Sequence, residues 1–346
     1  MVVLKNCFVI HLDLATRVGR PMRNLYSSVT LLSFCFSIAC VSVGQASPLQ
    51  ISFASVETGQ GILGKNDEFI QRLSPFDRAS RLKTDRNVSK SEFVRFAISQ
   101  VRCWEAGDKT KILEAFDRIQ PKLGELSLSW PRTVHLIKTS GKEEGYAAYT
   151  RERAIVIPEV KLTLSIEKLS QLAAHELFHI LSRYNPVIRD RLYLAIGFER
   201  CHDTELPINL TNRRITNPDA PLNAHCIRIQ YQCQPFWALP VLFSKNDRYD
   251  PKQGETFFQY LQFRLMLVRT VEGDLHVGTS PHKLVKVNEV SGFFEQVGKN
   301  TNYIIHPEEI IADHFALIVM GETQFKSPEV VDKIKAVLRK GGEVPY

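Results

Sequence analysis

The chain has 346 residues, of which 44% are hydrophobic and 23% charged, an ordinary balance for one large folded domain or two modest ones. The formal charge is +7, but residues 1–46 hold four basic groups and one acid, so the remainder carries only +4, evenly spread. That speaks against a nucleic-acid partner, which needs a concentrated basic face.

The first 46 residues read as an export signal. Arg17, Arg20 and Arg23 form a positive stretch ahead of the apolar run VTLLSFCFSIACVSV (Val29–Val43), and VGQASP offers small residues for cleavage after Ala46. Met22 is a candidate true start. The run is shorter than the roughly 20 residues of a spanning helix, so no stable membrane span is expected. A lipid-modified Cys40 is the alternative to a cleaved signal. The expected location is outside the cytoplasm, periplasmic or secreted. Cleavage would leave Cys103, Cys201, Cys226 and Cys233. Four cysteines in an exported chain suggest disulfides, with at least one bond in the clustered 201–233 region. The alternative, a zinc site built from these cysteines, lacks a C-x-x-C pair.

Residues 47–90 show no clear period and read as a loose arm. Residues 91–198 read as helical scaffold, sheet and a motif-bearing helix. SKSEFVRFAISQVRCW (Ser89–Trp104) opens on a capping serine and sets Phe93, Phe96, Ala97 and Val101 on one helical face. KTKILEAFDRIQPKL is a second helix, with Ile112, Leu113, Phe116 and Ile119 inward. The period then changes to that of strands in RTVHLIKT, GYAAYTR and RAIVIPEV. Ala147–Thr150 is the expected sheet edge, able to bind an extended peptide through backbone hydrogen bonds. Ile166–Tyr184 is helical and ends at Asn185–Pro186. PVIRDRLYLAIGF follows as a helix closed by Gly197. Residues 199–299 read as a cysteine- and aromatic-rich, largely β insertion. Residues 300–346 supply two helices, Pro307–Gly321 and Ser327–Gly342. The fold class expected is α+β, with a small mixed sheet packed on the motif helix.

That helix contains LAAHELFHILSRYNP (Leu172–Pro186). Residues four apart on a helix share a face, so His175 and His179 can aim two imidazoles at one point. Zinc accepts such nitrogens at about 2.0–2.1 Å and prefers four ligands. Glu176 projects about 100° further round. From there a carboxylate can take the proton of a water whose acidity a metal has raised. Apolar neighbours on nearly all sides make this a buried helix, and a buried His-Glu-His cluster needs a partner. A histidine soon after, in the H-E-x-x-H-x-x-G-x-x-H pattern, is absent: Ser182 and Asn185 stand there. HPEEIIADHF offers Glu309 instead, four residues before Asp313 on one face, with Ala312 and Ala316 small enough for close packing. Glu308 is the alternative ligand, although acids in a first helical turn also suit the helix dipole alone. Tyr303 and His306, just ahead of this helix, are candidate donors to a developing oxyanion, and His306 could equally cap the helix. His202 and His225 could form a second metal site, or simply sit in cysteine-bounded loops.

In these two segments the chain resembles the gluzincin metallopeptidases, the thermolysin-like group. The resemblance implies a zincin-like fold with zinc as cofactor and a peptide or protein as substrate. It makes His175, His179 and Glu309 the ligands, Glu176 the general base and Asp313 the partner of His175. It does not extend to the insertion between the segments, and the 130 residues from His179 to Glu309 exceed the spacing in thermolysin. The alternative from another class is a metal-binding envelope scaffold without turnover.

Overall fold

The computed structural model describes residues 49–339, except 127, 204–205, 272–273 and 277–282. The export signal, Met22 and Cys40 lie outside the described residues. What is described is a mixed α and β structure with two sheets and eleven helices.

The first sheet contains β1 (Gln50–Phe53), β2 (Val101–Arg102), β3 (Thr133–Thr139), β4 (Tyr149–Arg151) and β5 (Ala154–Pro158). β1, β3 and β5 run parallel; β2 pairs antiparallel with the far end of β3, and β4 pairs antiparallel with β5 at the edge. The strand from Tyr149 therefore forms the sheet edge, where the sequence placed it.

Residues 47–90 do not form a loose arm. They hold β1 and the short helices α1 (Val56–Leu63), α2 (Glu68–Arg72) and α3 (Pro75–Arg81), and run into α4 (Lys90–Ser99). Ser55, Asp67, Ser74 and Ser89 each cap a helix with a side-chain oxygen. Phe69, Ile70, Leu73, Val88, Phe93 and Ala97 bury a small core of their own. The helices are too short to show a period, which hid them in the sequence. α4 stops at Ser99, so Val101 belongs to β2 rather than to the helical face with Phe93. α5 (Ala106–Gly124) buries Ile112, Phe116 and Ile119 as expected, but Leu113 is exposed and Ala115 takes its inward place.

α6 (Ile166–Tyr184) carries the HELFH motif. Ser165 caps its start and Asn185 its end, where α7 (Pro186–Ala195) begins directly. Gly197 follows with φ +83°, a backbone state that favours glycine. α10 (Pro307–Val319) and α5 pack on α6. Ala312 and Ala316 are fully buried in that contact, with Phe178 of α6 and Phe315 of α10 touching at 5.6 Å between rings. α11 (Pro328–Arg339) closes the main core, which runs through α5, α6, α7 and α10.

The 199–299 region is built on the second sheet: β6 (Phe198–Arg200), β7 (His225–Tyr231), β8 (Gln234–Ser244), β9 (Leu261–Val271), β10 (Asp274–His276) and β11 (Leu284–Val285), all antiparallel. Its two short helices are α8 (Ile208–Thr211) and α9 (Phe294–Val297). Alternation along its strands divides its faces. Ile227, Ile229, Ala238, Leu265 and Leu267 join the main core, while Cys226, Leu239, Val241, Met266 and Val268 bury a second one with Leu206 and Leu210.

Among the described residues no disulfide is found, although two of the cysteines clustered at 201–233 are brought together. β6–β7 pairing sets the Cys201 and Cys226 sulfurs 2.7 Å apart. Cys233 sits in the turn after β7 and, like Cys103, is exposed. Among the described residues no helix is long and apolar enough to cross a membrane.

Candidate metal centre

His175 and His179 lie one turn apart on α6, with rings 4.8 Å between centroids. Glu309, in the first turn of α10, completes the group: the ligand atoms of these three residues all lie within 4.8 Å of one another. His175 Nε2 is 3.2 Å from Glu309 Oε2, and His179 Nε2 is 3.7 Å from the same oxygen. A tetrahedral ion with bonds of about 2.0 Å holds its ligand atoms about 3.3 Å apart. The donor set is therefore of a size and chemistry that can hold a divalent metal ion.

Each histidine is held from behind. Asp313 Oδ1 bonds His175 Nδ1 at 2.9 Å, and Thr301 Oγ1 donates to Asp313 Oδ2. Glu308 Oε1 bonds His179 Nδ1 at 2.9 Å. Its other oxygen accepts from Ser182 Oγ at 2.7 Å and from the Tyr193 hydroxyl. With both Nδ1 atoms occupied, each ring presents Nε2 to the common point. Glu308, the alternative ligand, thus lies behind His179 while Glu309 faces it. The separation follows from the helix: consecutive residues diverge by about 100°.

Electrostatics match this geometry. Burial opposes charge on His175, but the bonds to Asp313 and Glu309 outweigh it and hold the metal-free imidazolium well above the usual range. Burial likewise opposes charge on His179, yet Asp219, Glu309 and Glu308 raise it to about 9. Burial works against Glu309 as an anion, but the two histidines and Asn217 bring it down to about 2. The carboxylates around the two rings favour positive charge at this point.

Glu176 is 3% exposed, and its Oε2 is buried without a hydrogen-bond partner. Burial, then the neighbouring Asp219, pushes its carboxyl up to about 8. A carboxyl with a raised pKa and a free oxygen beside a candidate metal point is suited to carrying a proton.

Tyr303 stands next to the ligands, its ring 6.3 Å from that of His175, and is 40% exposed. Desolvation and the surrounding carboxylates, Glu309 first among them, push its phenol well above the usual range. His306 does not aim at the metal point. Its Nδ1 accepts from the Glu308 N–H at 3.1 Å, capping α10, and its ring also bonds the backbone of Leu222. Capping, the other role open to it, is the one it performs. His225 Nε2 lies 3.4 Å from Asp190, and no metal-donor group among the described residues includes His225, His202 or a cysteine.

Sequence patterns did not point to the loop 216–222. From it, Asn217 Nδ2 donates to Glu309 Oε1 at 2.5 Å, and Asp219 forms a second possible donor group with Glu176 and His179. Neither residue sits in a periodic element, so nothing in the chain order pointed to them. Comparison with family models, with curated proteins and with solved structures finds no match for this chain.

Proposed function

We propose that the chain is an exported, zinc-dependent metallopeptidase with a zincin-like arrangement of the gluzincin type. Its support is the convergence of His175 Nε2, His179 Nε2 and Glu309 Oε2 on one point, with the unpartnered Glu176 Oε2 buried alongside. Zinc, when bound there, supplies a Lewis acid that polarises a carbonyl and acidifies water.

The chain's own residues divide the remaining work. His175, His179 and Glu309 hold the ion, and Asp313 and Glu308 fix the two rings. Glu176 takes the proton of the attacking water on its carboxylate and hands it to the departing amine. The Tyr303 hydroxyl donates to the developing oxyanion. The β4 edge aligns an extended peptide by backbone hydrogen bonds.

A metal-binding scaffold without turnover is the second reading. It draws on Asp219, which already occupies the Thr150 N–H of that edge at 2.7 Å. The test is metal analysis of protein purified without added metal, followed by a peptide-library assay of wild type and Glu176→Gln. Stoichiometric zinc, cleavage by wild type and none by the variant are expected. A fully active variant would refute the role of Glu176, and zinc without cleavage by wild type would favour the scaffold.

A further inference from the structure

The 199–299 region reaches the candidate metal centre through the loop between α8 and β7. Bonds to other parts of the chain fix this loop just ahead of the centre. The Ile215 N–H donates to the Leu242 carbonyl of β8 at 3.0 Å. Thr216 donates its N–H and hydroxyl to the buried carboxylate of Asp77, the hydroxyl at 2.7 Å. The Thr216 carbonyl accepts from Arg81 at 3.1 Å. Arg81 is itself fully buried between Asp77 and Glu144, both at 2.6 Å.

Asn217 follows directly, and its side-chain amide is engaged at both ends. Its Oδ1 accepts the Asp219 N–H at 3.0 Å across Pro218, whose ring fixes φ. Its Nδ2 donates to Glu309 Oε1 at 2.5 Å. A backbone N–H only donates and an ionised carboxylate only accepts, so a single orientation of the amide satisfies both. Glu309 thereby divides its two oxygens. Oε1 faces Asn217, while Oε2 faces His175 Nε2 at 3.2 Å and His179 Nε2 at 3.7 Å. The Glu309 side chain is 3% exposed, so protein groups rather than bulk solvent set its orientation. The two histidines have their own partners behind them in Asp313 and Glu308. Asn217 stands in the same relation to the third ligand.

We propose that Asn217 is a positioning residue for Glu309, holding that ligand to the metal through one oxygen. This rests on the metallopeptidase reading. A carboxylate can bind a metal through one oxygen or through both. Three single-atom ligands leave a tetrahedral zinc one position for water or substrate. A second oxygen from Glu309 would take that position. The charge-assisted bond from the Asn217 amide keeps Oε1 turned away from it. The 199–299 region thus contributes to metal binding through a residue that does not itself touch the ion, and Asp77 and Arg81 support that residue from the N-terminal helices.

The test uses the full chain loaded with Co²⁺, whose visible bands are stronger with four ligands than with five or six. Asn217→Ser keeps an oxygen for the Asp219 N–H but ends short of Glu309, and Asn217→Ala removes both bonds. Both variants are expected to bind one ion about 10- to 100-fold more weakly than wild type in chelator competition. Their Co²⁺ bands should also weaken, as the freed Oε1 turns to the ion. Wild-type affinity and spectrum in Asn217→Ser would overturn the positioning role, whatever alanine does, because they would leave Asn217 only its turn. Weaker binding with an unchanged spectrum would overturn the restriction to one oxygen. Either result leaves the metallopeptidase reading intact, whereas wild type that binds no Co²⁺ overturns that reading and this proposal with it.

Discussion

Glu308→Gln tests the construction of the centre most directly, because Glu308 and Glu309 are neighbours in sequence with different places in the site. Glu308 is 2% exposed and accepts three hydrogen bonds, from His179, Ser182 and Tyr193. Burial works against its charge, but His179, Tyr193 and Ser182 hold its carboxyl below the usual value, so it is ionised. Hydrogen bonds to a charged group contribute about 1.5–3 kcal/mol each, against about 0.5–1.5 for neutral ones. Gln keeps the shape but loses the charge and has one acceptor oxygen where Glu308 uses two, so an N–H must face a former donor, and a loss of stability of about 3 kcal/mol or more is expected. Ala would instead leave three buried groups unpaired, at about 1–3 kcal/mol each. That approaches the whole stability of about 5–15 kcal/mol, so Gln is the informative change. Metal affinity should fall about 10- to 100-fold, because the His179 ring loses its orienting anion. Glu309→Gln, which weakens a ligand itself, should lose considerably more. Urea unfolding of metal-free protein gives the first quantity and Zn²⁺ competition with a chelator the second. Affinity within about threefold of wild type would refute the positioning role. Abolished binding in Glu308→Gln with binding retained in Glu309→Gln would show that the ligand had been assigned to the wrong glutamate.

Asp313→Ala should weaken metal binding about 10- to 100-fold without changing stoichiometry, since it frees the His175 ring to rotate; isothermal titration would show this, and unchanged affinity would count against the Asp313–His175 pair. Metal-free protein should lose stability with rising pH. His179 is held at about 9, above its ordinary 6.5, so its contribution, on the order of 3 kcal/mol, is complete below pH 6.5 and is lost as pH climbs to about 9. Glu176, raised to about 8 from 4.5, acts in the same direction from pH 4.5 upward, because the folded state keeps a proton that the unfolded state releases. Zinc loading should reverse the trend, as the ion competes with these protons. Urea midpoints of the metal-free protein that stay flat between pH 6.5 and 9 would contradict the charge arrangement.

Local pattern determined much of what the sequence could determine alone. Asn185–Pro186 closes α6 because helix termination acts within a few residues. HELFH puts two imidazoles on one face because helical spacing is fixed by the backbone. Glu309 and Asp313 shared a face for the same reason, and Ala312 and Ala316 marked the surface on which α10 meets α6. Tertiary structure decided the rest. A difference of about 100° between adjacent side chains puts Glu309 towards the histidines and Glu308 behind them, but only the docking of α10 on α6 says which is which. The helices of residues 56–81 owe their place to capping and to contacts with distant partners, as the Arg81 bonds to Asp77 and Glu144 show. Asp219 is the clearest case. It lies 40 residues beyond His179 in a proline-bounded turn, with no period and no motif. It comes beside Glu176 and His179 only because Asp77, Thr150 and His306, from three separate parts of the chain, hold its loop in place.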